Sequence, residues 1–186
     1  MNSDPLQQAG ENAWQDTKHV HSSLLSITYG CLVEQLVKDF ADIEAVNEIT
    51  KRMGSFIGKR VCDDVLSHAQ VSKCENVKEA LQITTKVGFR MMLNIQPTLT
   101  TTPDPKIFVL SFPENPLSSN VEIPTELNDI AYSNIICGVI EGALELLRYE
   151  VKADFVKEVV KGDHTNEIRV EHIRDIPEQI SDIFET

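Results

Sequence analysis

The first half of the chain carries apolar residues at the spacing of a helix turn. From Ser22 onward, Leu25, Leu32, Leu36 and Phe40 fall on one face of a helix, and Ser22 or Ser23 is available as its N-cap. The same spacing predicts a second helix over residues 43–68 and a third over residues 77–93, which ends before Pro97. These stretches predict a layer of packed helices.

A fourth and more apolar helix is predicted over residues 127–147. It carries Gly138 and Gly142 four residues apart, as the second helix carries Gly54 and Gly58. Residues four apart lie on one helix face, and glycine lets another backbone approach closely. We therefore expect both pairs to mark helix contacts.

Elsewhere the apolar residues recur at the shorter spacing that is typical of β-strands. Residues 107–110 and 121–123 read as a hairpin around Pro113-Glu114-Asn115-Pro116, and residues 149–156 and 167–173 alternate like paired strands. The predicted fold is α+β, with about four long helices packed on a small four-stranded antiparallel sheet.

The ends of the chain differ from the middle in composition. Residues 1–20 are mostly polar and predict a flexible N-terminal arm, residues 21–174 predict a single domain, and residues 175–186 form an acidic C-terminal tail. The N-terminus lacks a signal pattern and no apolar run is long enough to span a bilayer, which predicts a cytoplasmic protein.

Charge and motifs exclude several functions. A net charge of -12 argues against nucleic-acid binding, which requires a cationic surface. The four cysteines show no C-x-x-C spacing, so neither a zinc site nor a disulfide framework is indicated, and no metal site is expected. Neither a phosphate-binding loop nor a Gly-x-Ser-x-Gly elbow is present, so a catalytic role has no support.

Cys74 is the residue best placed for chemistry. It lies in a polar joint, Val71-Ser72-Lys73-Cys74-Glu75-Asn76, between two predicted helices. A partly exposed thiol beside the Lys73 cation and near a helix N-terminus would favour the thiolate. This placement suggests attachment of a lipid chain, and the alternative is a surface cysteine without a role.

Several short strings, in one order along the chain, resemble the TRAPP complex subunit 3 family, whose members are palmitoylated core subunits of a vesicle-tethering complex. The strings are Leu25-Ser26-Ile27-Thr28-Tyr29-Gly30, Cys74-Glu75-Asn76, Leu93-Asn94-Ile95-Gln96-Pro97, Glu114-Asn115-Pro116-Leu117, Val121-Glu122-Ile123-Pro124, Tyr132-Ser133-Asn134-Ile135-Ile136-Cys137-Gly138-Val139 and Gly142-Ala143-Leu144-Glu145. The resemblance covers residues 14–173, most of the chain.

The resemblance implies an α/β-plait with a helical layer that forms a homodimer through the helices predicted at 22–40 and 43–68. It implies a palmitoyl chain on Cys74, with no other cofactor, in a buried channel beside Gly88, Val87 and Ala80. It also implies a non-catalytic subunit that assembles with other small TRAPP subunits and tethers ER-derived vesicles. Such a protein would be peripheral on the early Golgi and on ER-derived membranes.

In this family a short acidic tail reaches a Rab GTPase and contributes to guanine-nucleotide exchange. The resemblance places Pro177 and Glu178 in that role, although the apolar residues that follow, Ile180, Ile183 and Phe184, depart from the family pattern. A stand-alone module of the related bacterial type, which holds a small apolar ligand, is the alternative function.

Overall fold

The structure, a computed structural model, describes residues 4–177. Two of the predicted helices are present almost as expected, α2 (Ser22–Asp39) and α3 (Ile43–Ala69). The Asp42 side chain accepts a hydrogen bond from the Glu44 N–H at 3.1 Å and caps α3. Gln70, with φ of 55°, ends this helix.

The N-terminal segment differs from the prediction of a flexible arm. Residues Pro5–Asp16 form a helix, α1, that packs against the helix leading to Leu93 and buries Ala13 completely. Gly10 lies against the backbone carbonyl of Lys86, and the Glu11 carboxylate pairs with Arg90 at 2.7 Å. The segment is mostly polar, but Gly10 and Ala13 give it a narrow stripe of small residues, and this stripe is sufficient for close helix packing.

The helix predicted over residues 77–93 is interrupted by a π turn. It consists of α4 (Val77–Ile83), the π turn (Thr84–Gly88) and α5 (Phe89–Leu93). A π turn widens the helix by one residue and leaves carbonyls without their usual partner. The carbonyls of Ala80 and Leu81, just before the turn, accept from the Thr84 N–H and also from the hydroxyls of Thr84 and Thr85, at 2.9 and 2.8 Å.

Four antiparallel strands form one sheet in the order β1-β2-β4-β3. They are β1 (Thr98–Thr101), β2 (Ile107–Phe112), β3 (Tyr149–Lys157) and β4 (Asn166–Asp175). The predicted pairing of the last two strands is confirmed, and the predicted α+β fold is confirmed.

The predicted hairpin between residues 107–110 and 121–123 is wrong. β2 pairs with β1 and β4, whereas residues 121–123 belong to a loop in which the Val121 N–H donates to the Ser118 carbonyl. The short alternation of Val121 and Ile123 reflects packing against the core, since both are partly buried there.

The last helix, α6 (Asn134–Leu146), begins later than predicted. The Asn47 side chain on α3 accepts from the Ala131 N–H at 2.8 Å, and Asn134 donates to the Asn47 carbonyl at 2.8 Å. These bonds hold the segment before α6 outside a helix. The helix itself packs between α3 and β3 and is buried over most of its length.

The glycine pairs mark the contact between α3 and α6, as predicted. A Cβ atom at Gly54 or Gly58 would overlap the backbone of α6, and one at Gly138 or Gly142 would overlap the backbone of α3. The two backbones therefore touch without intervening side chains.

Candidate functional site

Cys74 lies in the joint between α3 and α4 and is only 6% exposed. The Tyr149 hydroxyl, at the start of β3, donates to the Cys74 backbone carbonyl at 3.1 Å. The prediction of a partly exposed thiol is therefore wrong, because a residue distant in sequence covers a joint that is locally polar.

The electrostatic surroundings of Cys74 also differ from the prediction. Burial, followed by the nearby Glu79 carboxylate, raises the pKa of the Cys74 thiol above its ordinary value. Glu79 is held there by the start of α4, where its N–H donates to the Asn76 side chain and its carboxylate accepts from the Glu75 N–H. The raised pKa favours the protonated thiol, which is opposite to the direction expected from Lys73.

An apolar cavity of about 230 Å³ lies in the helical layer. Its walls come from α2, α3, the helix from Ile83 to Leu93, the loop after β2, and α6. The lining residues are Leu25, Ile57, Val61, Cys62, Val65, Leu66, Ile83, Thr84, Gly88, Phe89, Met92, Leu93, Leu117, Ile135, Ile136, Val139, Ile140, Ala143 and Leu147.

Gly88 is the predicted channel residue that faces this cavity. A Cβ atom at Gly88 would meet the two methyl groups of Val65 at 3.7 Å, which is ordinary van der Waals contact. The π turn that ends at Gly88 sets the direction in which this stretch of helix faces the cavity.

Cys62 is part of the cavity wall. It is 3% exposed, lines the cavity, and places its Sγ 3.6 Å from the Ala143 carbonyl oxygen on α6. Burial, followed by the Asp63 carboxylate and the Cys74 thiol, raises the pKa of Cys62 to about 11. Cys74 itself does not line the cavity.

The other predicted site residues are distributed differently. Ala80 and Val87 are fully buried in the core and do not line the apolar cavity. Pro177 is exposed at the end of the described chain, and Glu178 lies outside the described residues. Ile176 is held just before them by a hydrogen bond from its N–H to the Arg148 carbonyl at 2.7 Å.

A wider cleft of about 1230 Å³ lies between the α1–α2 connection, α5 and the loop after β2. Charged and polar side chains, including Lys18, His19 and Glu114, line much of it, and none of the predicted site residues does. Within residues 4–177, no group of His, Cys, Asp and Glu side chains could hold a metal ion. Over the same residues, none of the helices has both the length and the apolar character needed to cross a bilayer.

Sequence reasoning did not identify Cys62 or the α6 residues Val139, Ile140 and Ala143 as cavity residues. A signal was available, because Cys62 follows Gly54 and Gly58 at the same four-residue spacing. Cys62 takes the next position in this spacing, where its side chain lines the cavity and faces the Ala143 carbonyl oxygen on α6.

Known proteins are similar to this chain over most of its length. The profile of the family described as "Transport protein particle (TRAPP) component" matches residues 25–171. The transport protein particle subunit bet3 of Schizosaccharomyces pombe is 39% identical over 173 residues, which cover 92% of this chain and 94% of that protein.

Solved structures agree with this assignment. A crystal structure of a trafficking protein particle complex subunit 3 from Naegleria fowleri, described as covalently bound to palmitic acid, has a TM-score of 0.80 and 38% identity and covers 84% of this chain and 98% of that one. The phenol-responsive sensory domain of the transcription activator PoxR, at 15% identity and a TM-score of 0.50, covers 84% of this chain and 76% of that one and shares the fold alone. The resemblance deduced from the sequence is confirmed, and the chain belongs to the transport protein particle (TRAPP) component family, in its subunit 3 group.

Proposed function

We propose that this chain is a core scaffold subunit of a TRAPP complex and carries a palmitoyl chain on Cys74. The acyl chain would occupy the apolar cavity that Gly88 and Cys62 line. The observation that carries this proposal is the apolar cavity in the helical layer, with Gly88 in its wall, in a chain similar to a subunit 3 structure described as covalently bound to palmitic acid.

The energetics favour an acyl chain inside the fold. Each buried methylene contributes about 0.8 kcal/mol, so a 16-carbon chain contributes on the order of 10 kcal/mol when fully buried. A chain placed there would act as part of the core and would leave membrane association to other surfaces. The glycine at position 88 keeps side-chain atoms out of its path.

The buried thiol constrains how the chain is attached. The Cys74 Sγ must attack the carbonyl carbon of an activated acyl thioester, lose its proton, and displace the donor thiolate. Because the thiolate is the nucleophile and the pKa of Cys74 is raised, this reaction is slow at neutral pH in the closed joint. Opening of the joint at the Tyr149 hydrogen bond would expose the sulphur and speed the reaction.

Intact-mass spectrometry tests the attachment. The protein purified from its native cell should carry a palmitate-sized increment that hydroxylamine removes. Cys74→Ser should abolish the increment, whereas Cys31→Ser, at an exposed cysteine on α2 outside the cavity, should retain it. An increment that survives in Cys74→Ser excludes this site, and a reversibly extractable ligand would favour the stand-alone ligand-binding module.

Exposed apolar residues on α2 and α3 support dimerisation through these helices. Leu24 and Ile27 on α2 and Phe56 on α3 are each about 60% exposed. Ile27→Glu should convert a dimer to a monomer in light scattering, and Val156→Glu, at an exposed position on β3, is the matched control. Affinity purification should also recover other small TRAPP subunits, and their absence would contradict the scaffold role.

The finer role would be to tether ER-derived vesicles at the early Golgi and to contribute to a Rab nucleotide-exchange surface. The exposed Pro177, two residues after β4, supports this, since the acidic residues that follow in the sequence would compete with nucleotide phosphates for cationic partners. In a reconstituted complex, Glu178→Lys should slow release of labelled GDP from the Rab, whereas Glu126→Lys, the same charge change at an exposed position before α6, should not. Equal rates would exclude the tail from the exchange surface.

A further inference from the structure

The two edges of the sheet differ in how far other parts of the fold cover them. At the β3 edge, the Ala153 N–H donates to the Glu141 carboxylate at 2.7 Å, and its carbonyl accepts from the Lys51 ammonium at 2.8 Å. Lys51 and Glu141 also pair with each other at 2.9 Å. Side chains from α3 and α6 therefore occupy main-chain positions that another strand would use.

The β1 edge has no such cover. The Thr102 N–H donates to the Ile107 carbonyl. Because every second residue of an antiparallel strand bonds to the same neighbour, Thr98 and Thr100 also bond to β2. The N–H and C=O groups of Leu99 and Thr101 then point away from β2. Within residues 4–177, these outward groups have no hydrogen-bond partner.

A groove of about 410 Å³ runs beside this edge, between β1 and the helix that contains the π turn. Lys78 and Gln82 on α4 and Lys86 in the π turn line its helical side. Lys86 pairs with Asp4, whereas Lys78 is exposed and forms no ion pair within the described part of the chain. The groove thus presents an unpaired cation in a chain of net charge -12.

We propose that the β1 edge and this groove bind an extended acidic segment of a partner polypeptide by strand addition. The outward groups of Leu99 and Thr101 would supply main-chain hydrogen bonds, and alternate side chains of the added strand would point into the groove toward Lys78. Charge complementarity selects the occupant, because acidic side chains are the ones that Lys78 favours. This surface is separate from the apolar cavity, so the proposal does not depend on acylation.

The flanking prolines limit the length of the contact. Pro97 and Pro103 bracket β1 and cannot donate main-chain hydrogen bonds, which confines pairing to the residues between them. The contact is therefore a short one, suited to an accessory interaction within a larger assembly.

Fluorescence anisotropy with a labelled peptide of alternating Glu and Val tests the proposal on the full chain. The peptide should bind, a Lys-for-Glu peptide should bind at least about tenfold more weakly, and added salt should weaken the binding. Lys78→Glu should reduce the affinity about tenfold, whereas Lys18→Glu, the same charge change in the other cleft, should leave it within about twofold. Equal losses in the two variants would overturn the role of Lys78.

Main-chain pairing is tested separately. Thr101→Pro removes an outward N–H and should abolish binding, whereas Thr101→Val retains the N–H and should bind normally. Amide chemical shifts report on the fold of both variants, and in the parent protein the peptide should shift the Leu99 and Thr101 amides most. Unshifted amides, or a Thr101→Pro variant that binds normally, would contradict strand addition, and a change of oligomeric state in Thr101→Pro would instead assign the edge to a second copy of the chain.

Discussion

The contact between α3 and α6 and the wall of the apolar cavity both contain glycine, but the space around the glycines differs. At Gly54, Gly58, Gly138 and Gly142 an added Cβ atom would overlap backbone atoms of the opposite helix. At Gly88 the nearest atoms are side-chain methyl groups of Val65 at 3.7 Å. Glycine therefore allows close backbone approach in the first region and leaves room beside the cavity in the second.

This comparison separates stability from proposed function. The α3–α6 contact is part of the core, and its disruption should unfold the protein. The cavity wall is a place where a larger side chain can be accommodated, at the expense of the cavity. Substitutions at the two kinds of glycine should therefore give opposite results.

The largest effect is expected for Gly138→Ala. The new Cβ atom would overlap the Lys51 carbonyl, so α3 and α6 must separate, and we expect a loss of about 3 kcal/mol in the free energy of unfolding. Urea denaturation measures this loss, with Gly88→Ala as the matched control. A loss below about 1 kcal/mol would show that the helices can move apart easily.

Gly88→Leu should affect acylation more than folding. The leucine side chain would project into the cavity beside Val65 and take the space proposed for the acyl chain, with a change in stability of up to about 2 kcal/mol. Intact mass should show a strongly reduced palmitate increment while circular dichroism remains unchanged. A normal increment would mean that the chain follows another path.

Tyr149→Phe should loosen the joint that holds Cys74. Loss of the hydrogen bond to the Cys74 carbonyl should reduce stability by about 1 kcal/mol and increase exposure of the thiol. In the unacylated protein, alkylation of Cys74 by iodoacetamide should then accelerate. In the parent protein the raised pKa should shift the rise in its alkylation rate to higher pH than for an unperturbed cysteine, because the reactive thiolate forms only there. A rate that levels off near neutral pH would contradict this.

Gly88→Ala should have the smallest effect, and it should raise the stability of the protein where the other substitutions lower it. The methyl group fits at ordinary contact distance in a helical backbone, and replacing glycine in a helix gains up to about 1 kcal/mol. Thermal unfolding of the unacylated protein should show a slightly higher midpoint. A clear decrease would mean that the cavity wall is as tightly packed as the α3–α6 contact.

Much of the helical layer was predictable because its signals are local. The apolar stripes of α2 and α3 and the glycine spacing of α3 and α6 appear directly in the sequence. β1 escaped notice because Thr98-Leu99-Thr100-Thr101 is short and shows little alternation in polarity. Its identity as a strand depends on pairing with β2, which no local pattern reveals.

The candidate site was predictable only in part. The string around Cys74 identified the cysteine, but its polar neighbours suggested exposure. Tyr149, which is 75 residues away in sequence, bonds to the Cys74 carbonyl, and burial, followed by the Glu79 carboxylate that the helix cap holds, raises the pKa of the thiol. Such tertiary effects are not encoded in the spacing of neighbouring residues.

The π turn at Thr84–Gly88 adds one residue to a helix that is otherwise regular. Deleting one of its residues should restore ordinary α-helical geometry, and because the wide turn absorbs the extra residue, the helix after it should keep nearly the same face toward the core. Deleting a second residue would turn the buried Phe89 and Met91 by about 100° and take them out of the core. Natural variants of this chain should therefore tolerate the loss of one residue from this stretch far better than the loss of two.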